Sequence, residues 1–241
     1  MIRVGCCGWA KAQAVYTAEL DAVEVQQTFY EPPQLRTLER WRRTAPSDFV
    51  FTVKCFQLVT HERRSPTYRR LRRHLPDGVE SGHFRDNEVV RAAWKETIEA
   101  ARALRAPIVL VQTPARFEPT AQHLARLRAF AAWESGLGFK IAFEPRGPAW
   151  TGQLTDQLCR ELGWLRAGDP FVLPPPDPEY QPVAYFRLHG RTGYRYTFSE
   201  SDFQQIARWA KAYAHAWVFF NNQSMWNDAV RFRTLVTARK R

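Results

Sequence analysis

The feature that most constrains this chain is a repetition: a short apolar run closes on a polar residue, and a helix-period segment or a loop follows, eight times over. The runs are IRVGCC from Ile2, AVEVQQTFY from Ala22, FVFTVK from Phe49, PIVLVQ from Pro107, FKIAFE from Phe139, WLRAGD from Trp164, AYFRLHG from Ala184 and AWVFFN from Ala216. Side chains alternate faces along a strand. Tyr185, Arg187 and His189 therefore share a face, as do Thr52 and Lys54, Leu110 and Gln112, Ala142 and Glu144, Glu24 and Gln26, and Phe219 and Asn221. In a barrel of parallel strands wrapped by helices the outward face must be apolar, which sends the polar set inward and toward the carboxyl-end mouth. Charges at the end of apolar strands need partners, so they mark an enclosed polar site.

The segments between the runs carry helical period at Ala12–Leu20, at Leu35–Arg43 with Leu35, Leu38 and Trp41 on one stripe, and at Glu88–Leu104. The same period recurs at Thr120–Trp133, Thr151–Leu162, Ser199–Ala214 and Met225–Ala238. FVLPPPDPEYQP is irregular, because its prolines remove donors and fix φ. The expected fold is an α/β (β/α)₈ TIM-type barrel over residues 1–241 as a single domain, with an Arg-rich insertion at about residues 55–87 in the third βα connection. A doubly wound open sheet would want GxGxxG after the first strand, and GCCGWA does not supply it.

With 241 residues, 45% of them hydrophobic, the chain can bury a substantial core. Its formal charge is +11, and 29 of its 35 basic residues are arginine, which favours an anionic partner, either a small molecule or a nucleic acid. The run HERRSPTYRRLRRH places Arg63, Arg64, Arg69, Arg70, Arg72 and Arg73 around Tyr68, as a collar for a polyanion or as a solvated charged face. Tyr68, Trp9, Tyr30, Trp150, Tyr194 and Trp226 offer ring planes for stacking. Cys6, Cys7, Cys55 and Cys159 form no CxxC pair and read as core thiols in a reducing cytoplasm. The amino terminus shows no signal-type apolar region and no run is long enough to span a membrane, so a cytoplasmic protein without a membrane partner is expected.

The chemistry-bearing candidates are Glu24, Lys54, Glu144, Arg187 and His189 as catalytic residues. Trp9, Tyr30, His61, Gln112, Arg146, Asp169, Asn221 and Asn222 are the candidates for substrate binding. Lys54, Arg146 and Arg187 would hold an anion, Glu144 or Glu24 would act as general base, and His189 as acid or as a supporting partner. The competing reading is a satisfied ion-pair network without catalysis. Glu24, Glu144, Asp169 and His189 could hold a divalent cation, but Lys54 and Arg187 would repel it and no HxxxH or HxH spacing occurs, so a metal is not favoured. P-loop, GxSxG and zinc-finger patterns are missing, and no cofactor is implied.

VGCCGW, VEVQQTFY, FTVKCFQLVTH, VLVQTPARF, FEPRGPAW, YFRLHG and FFNN occur in that order over nearly the whole chain. In these pieces the sequence resembles the YecE-like family of unknown function, DUF72. The resemblance implies a (β/α)₈ barrel and puts Glu24, Phe29, Tyr30, Lys54, His61, Gln112, Glu144, Arg146, Arg187, His189, Asn221 and Asn222 at motif positions. Cys6-Cys7 stands where the commoner family form has Thr-Ser, and the family supplies no reaction. The expected function is therefore an enzyme acting on an anionic, phosphate-bearing or nucleic-acid-like substrate, hydrolase or phosphodiesterase in type. The alternative is a non-catalytic nucleic-acid or metabolite binder using the same mouth and the arginine collar. A glycosidase would need two carboxylates at a set separation, which a sequence does not measure.

Overall fold

The computed structural model describes residues 1–133 and 136–238. Eight strands, β1 (Ile2–Cys7), β2 (Ala22–Val25), β3 (Val50–Lys54), β4 (Ile108–Gln112), β5 (Lys140–Glu144), β6 (Leu165–Gly168), β7 (Val183–Leu188) and β8 (His215–Phe220), follow one another in sequence order around a closed barrel. The helices between them are α1 (Gln13–Glu19), α2 (Gln27–Tyr30), α3 (Leu35–Thr44), α4 (Gln57–Thr60), α5 (Glu88–Leu104), α6 (Ala121–Ala131), α7 (Gly152–Leu162), α8 (Glu200–Lys211) and α9 (Met225–Ala238). This is the TIM-type architecture expected from the repetition.

Helix starts follow side-chain chemistry. Asn87, Thr120, Thr151 and Ser199 each accept a backbone N–H of the first turn, so each caps its helix from just outside it. Ser199 and Asp202 complete a reciprocal capping box. The second strand corrects an expectation: it ends at Val25, and QTFY is a helical turn instead of a continuation of AVEVQQTFY. The Thr28 hydroxyl, 2.8 Å from Val25 O and 2.7 Å from Lys54 O, satisfies carbonyls that a longer strand would have paired.

The chain divides into two compact units. The first comprises Met1–Glu24, Thr44–Phe51 and Leu165–Arg241, and the second Val25–Arg43 and Thr52–Trp164. In the first unit β1 lies between β2 and β8, and β7 between β6 and β8; Cys7 is in register with Glu24, and Arg187 with Phe219. The outward face packs on helices: Cys6 Sγ reaches Met225 O of α9, and Phe220 meets Phe203 of α8 and Phe232 of α9. In the second unit β3, β4 and β5 pair in parallel, and Trp94 of α5 packs edge to face on Phe130 of α6 at 4.8 Å.

Tyr16, buried in α1, stitches the first unit together. Its hydroxyl accepts the Cys6 N–H at 2.6 Å and donates to Ala22 O at 3.0 Å. Tyr16→Phe leaves both backbone groups buried without that partner, and a loss of about 2 kcal/mol in urea unfolding is expected. A loss below about 0.5 kcal/mol would show that the hydroxyl is dispensable. Among the described residues no helix is long and apolar enough to cross a membrane.

Candidate functional site

In the first unit the inward face of β7 meets β2. Arg187 donates from Nε to both Glu24 carboxylate oxygens, at 3.2 and 2.9 Å, and from Nη2 to Oε1 at 2.9 Å. Tyr185, two residues earlier and so on the same face, donates its hydroxyl to Glu24 Oε2 at 2.8 Å. Arg187 and Glu24 have almost no solvent exposure, 1% and 0%. The arrangement is a two-pronged buried ion pair with the guanidinium geometry that suits a carboxylate. It makes Glu24 the partner that neutralises and orients Arg187. Tyr185 was outside the sequence-derived candidates, although its parity with Arg187 was the available signal.

Beyond the ends of β6 and β7, Asp169 accepts the backbone N–H groups of Phe171 at 2.9 Å, His189 at 2.7 Å and Gly190 at 3.2 Å. Its carboxylate thus buckles the two strand exits together. Asn221, just past β8, places Nδ2 3.0 Å from His189 Nε2. Asn222, its neighbour, donates to Tyr196 O and to Asp228. Trp9 is packed among Tyr16, Phe49 and Phe51, with ring centroids 5.1 to 6.2 Å away.

The second unit carries its own cluster. Lys54 is in register with Leu110, Leu110 with Ala142, and Gln112 with Glu144, so Lys54, Gln112 and Glu144 share one face at the ends of β3, β4 and β5. Arg146, a third exposed, reaches back to Glu144 with Nη2 2.7 Å from Oε1, while the Glu144 side chain is only 5% exposed. The buried Lys54 ammonium sits 4.0 Å from the centroid of the Phe29 ring, a cation–π contact that offsets part of its desolvation. His61 lies edge to face on the same ring at 4.9 Å, with Nδ1 2.7 Å from the Thr60 hydroxyl.

Burial, then the positive fields of Lys54 and His83, push the His61 imidazole down to a pKa of about 3. It is a neutral polar group at physiological pH. Because an unfolded histidine titrates near 6.5, the unfolded chain binds more protons between about pH 6.5 and 3. The contribution of His61 to stability is therefore present above the unfolded value and is lost as pH falls. Urea midpoints are expected to drop across pH 6.5 to 4, and His61→Gln to flatten that slope; an unchanged slope would contradict the assignment.

The Arg-rich insertion is largely fastened to its own unit. Arg73 is bound to Glu31 and Glu96, Arg85 to Glu62 and Glu80, and Arg63 to Asp77 and the carbonyls of Leu75 and Pro76. Tyr68 donates to His61 O at 2.7 Å and lies 2.6 Å from Ser81 Oγ, so its hydroxyl ties the insertion together. Gly82, His83 and Phe84 are three successive left-handed residues whose N–H groups meet the carbonyls of Leu58, Thr60 and Val59. A Cβ on Gly82 would lie 2.1 Å from His61 O, which explains the glycine. Tyr30, offered by the sequence as a ring plane, is covered by the Arg70 guanidinium at 3.5 Å. Trp150 is buried and donates to Phe117 O. Arg69, Arg70 and Arg72 remain exposed on and after the 3₁₀ turn Pro66–Arg70. Among the described residues no group of three or more His, Cys, Asp or Glu side chains is arranged to hold a metal ion.

A closed eight-stranded parallel barrel with polar residues at its strand ends defines a TIM-barrel protein. The chain belongs to the family described as Protein of unknown function DUF72, whose model matches residues 3–240. A DUF72 family protein from Thermotoga maritima is similar at 20% identity and a TM-score of 0.74, covering 98% of this chain and 99% of that one. A DUF72 family protein from Enterococcus faecalis is similar at 18% identity and a TM-score of 0.73, covering 99% and 98%. A D-tagatose 3-epimerase-like protein shares the fold at 14% identity and a TM-score of 0.60, covering 98% and 96%. No curated protein matches the chain.

Proposed function

We propose that this protein is a hydrolase acting on an anionic, phosphate-bearing substrate, with its anion site on the second unit. The observation that carries the reading is a nearly buried carboxylate that one cation touches and a second cation shares a face with: Arg146 lies 2.7 Å from Glu144, and Lys54 and Glu144 share a face at the strand ends. A phosphate engaged by Lys54 and Arg146 would have its developing charge stabilised by preorganised donors. As Arg146 turns to the substrate, Glu144 is released to accept a proton from water. Gln112, in register with Glu144, orients the substrate. On the first unit, Glu24 and Tyr185 keep Arg187 in place.

The test is a panel of phosphomonoesters and phosphodiesters, oligonucleotides included, hydrolysed by wild type and Glu144→Gln. Turnover lost in Glu144→Gln with binding retained supports the enzyme.

The exposed Arg69, Arg70 and Arg72 favour a second reading, a non-catalytic nucleic-acid binder. In that case affinity falls steeply with salt, Glu144→Gln changes nothing, and the triple Arg→Ala variant binds weakly. The reading is weaker because Arg63, Arg73 and Arg85 are already engaged by carboxylates.

A further inference from the structure

The first unit holds an imidazole whose two nitrogens face different chemistry, and the anion-site reading makes no use of it. His189 Nδ1 lies 3.7 Å from Asp169 Oδ2, and His189 Nε2 lies 3.0 Å from Asn221 Nδ2. With the amide nitrogen of Asn221 facing Nε2 as a donor and the Asp169 carboxylate on the Nδ1 side, both neighbours favour a ring proton on Nδ1. The orientation is enforced by the backbone. Asp169 holds the N–H groups of His189 and Gly190, and Gly190 has φ of 91°, with the Tyr196 side chain filling the space a Cβ would need. Asn221 is fixed in turn by its N–H bond to Leu188 O.

Tyr194 lies edge to face on the imidazole at 5.2 Å and is 56% exposed, with its carbonyl accepting the Gln223 N–H at 2.7 Å. Of the ring planes read from the sequence, it is the one the structure turns to solvent beside a candidate catalytic group.

We propose that Asp169 and Asn221 are positioning residues that hold His189 as the Nδ1–H tautomer, so that Nε2 is a proton acceptor for a hydroxyl-bearing ligand seated against Tyr194. When a ligand O–H takes the place of the Asn221 amide, its proton passes to Nε2 and the electron pair stays on the oxygen. Nδ1 keeps its proton, and Asp169 balances the imidazolium charge. This reassigns Asp169 and Asn221 from contacting substrate to acting through His189. It goes beyond the anion site and does not depend on it.

The test is the long-range ¹⁵N–¹H spectrum of the whole protein at neutral pH, with the His189 ring identified by its loss in His189→Gln. The expected wild-type pattern is a protonated Nδ1 and an unprotonated Nε2. Asn221→Asp places an acceptor at Nε2 and should put a proton on that nitrogen while Asp169 keeps the one on Nδ1, and Asn221→Ala should give a mixture of tautomers. A wild-type ring protonated at Nε2, or a ring unmoved by both variants, overturns the proposal. Asp169→Asn adds a check on the Nδ1 side. If its backbone buckle fails and it does not fold, the two Asn221 variants still decide. Neither result bears on whether Lys54 and Arg146 bind an anion, so the two readings fail separately.

Discussion

Arg187→Ala is expected to destabilise the protein by about 3–5 kcal/mol, the largest effect of any single substitution considered for stability. Glu24 is wholly buried and receives three close contacts from the Arg187 guanidinium. Removing the cation strands a carboxylate where water does not reach, and stranding a charge is far worse than never having buried the pair. At about 2–4 °C per kcal/mol for a chain of this size, the melting temperature should fall by about 10 °C. Tyr185→Phe, which removes one hydroxyl donor from the same carboxylate, should lose about 1–2 kcal/mol. Calorimetric and urea unfolding of both variants check the order. An Arg187→Ala protein within about 1 kcal/mol of wild type would mean that Glu24 finds another partner or takes up a proton.

The second large effect is catalytic. Glu144→Gln is nearly isosteric, keeps a hydrogen-bond acceptor for Arg146 and removes the basicity, so it separates binding from proton transfer. A loss of about 10²- to 10⁴-fold in kcat is expected, with KM changing only a few-fold, the signature of a lost general base. Lys54→Met should do the reverse in kind. It keeps the apolar stem against Phe29, removes the ammonium and weakens anion binding by about 10- to 100-fold. Steady-state kinetics on a substrate found in the ester panel distinguish the two. Equal, uniform losses in both variants would point to misfolding of the strand ends and not to assigned roles.

The repetition of apolar runs was enough to read the barrel, because parallel strands under helices have little freedom in which face is apolar. The helices Glu88–Leu104 and Met225–Ala238 came out with the expected bounds, the first of them capped by the Asn87 side chain. The parity argument placed Lys54, Gln112 and Glu144 on one face, and Arg187 on the face that meets Glu24, as the registers and contacts have them.

What the sequence hid was partner choice. QTFY has the composition of a strand but forms a helical turn, in which the Thr28 hydroxyl bonds across to Lys54 O, a partner distant in sequence. The arginines of the insertion read as one collar. Their division into fasteners such as Arg73 and exposed residues such as Arg69 depends on carboxylates distant in sequence, Glu31 and Glu96 among them. Asp169 looked like a substrate ligand because it closes an apolar strand. Its carboxylate also receives three backbone N–H groups, a use that only the loop geometry reveals.

Titrating inorganic phosphate and pyrophosphate calorimetrically into wild type, Lys54→Met and Glu144→Gln tests most directly whether the cations at the ends of β3 and β5 form an anion site. Saturable binding to wild type, weakened by about 10- to 100-fold in Lys54→Met and preserved in Glu144→Gln, is the predicted result. Binding of equal strength to wild type and Lys54→Met, or no heat with either anion, would contradict it.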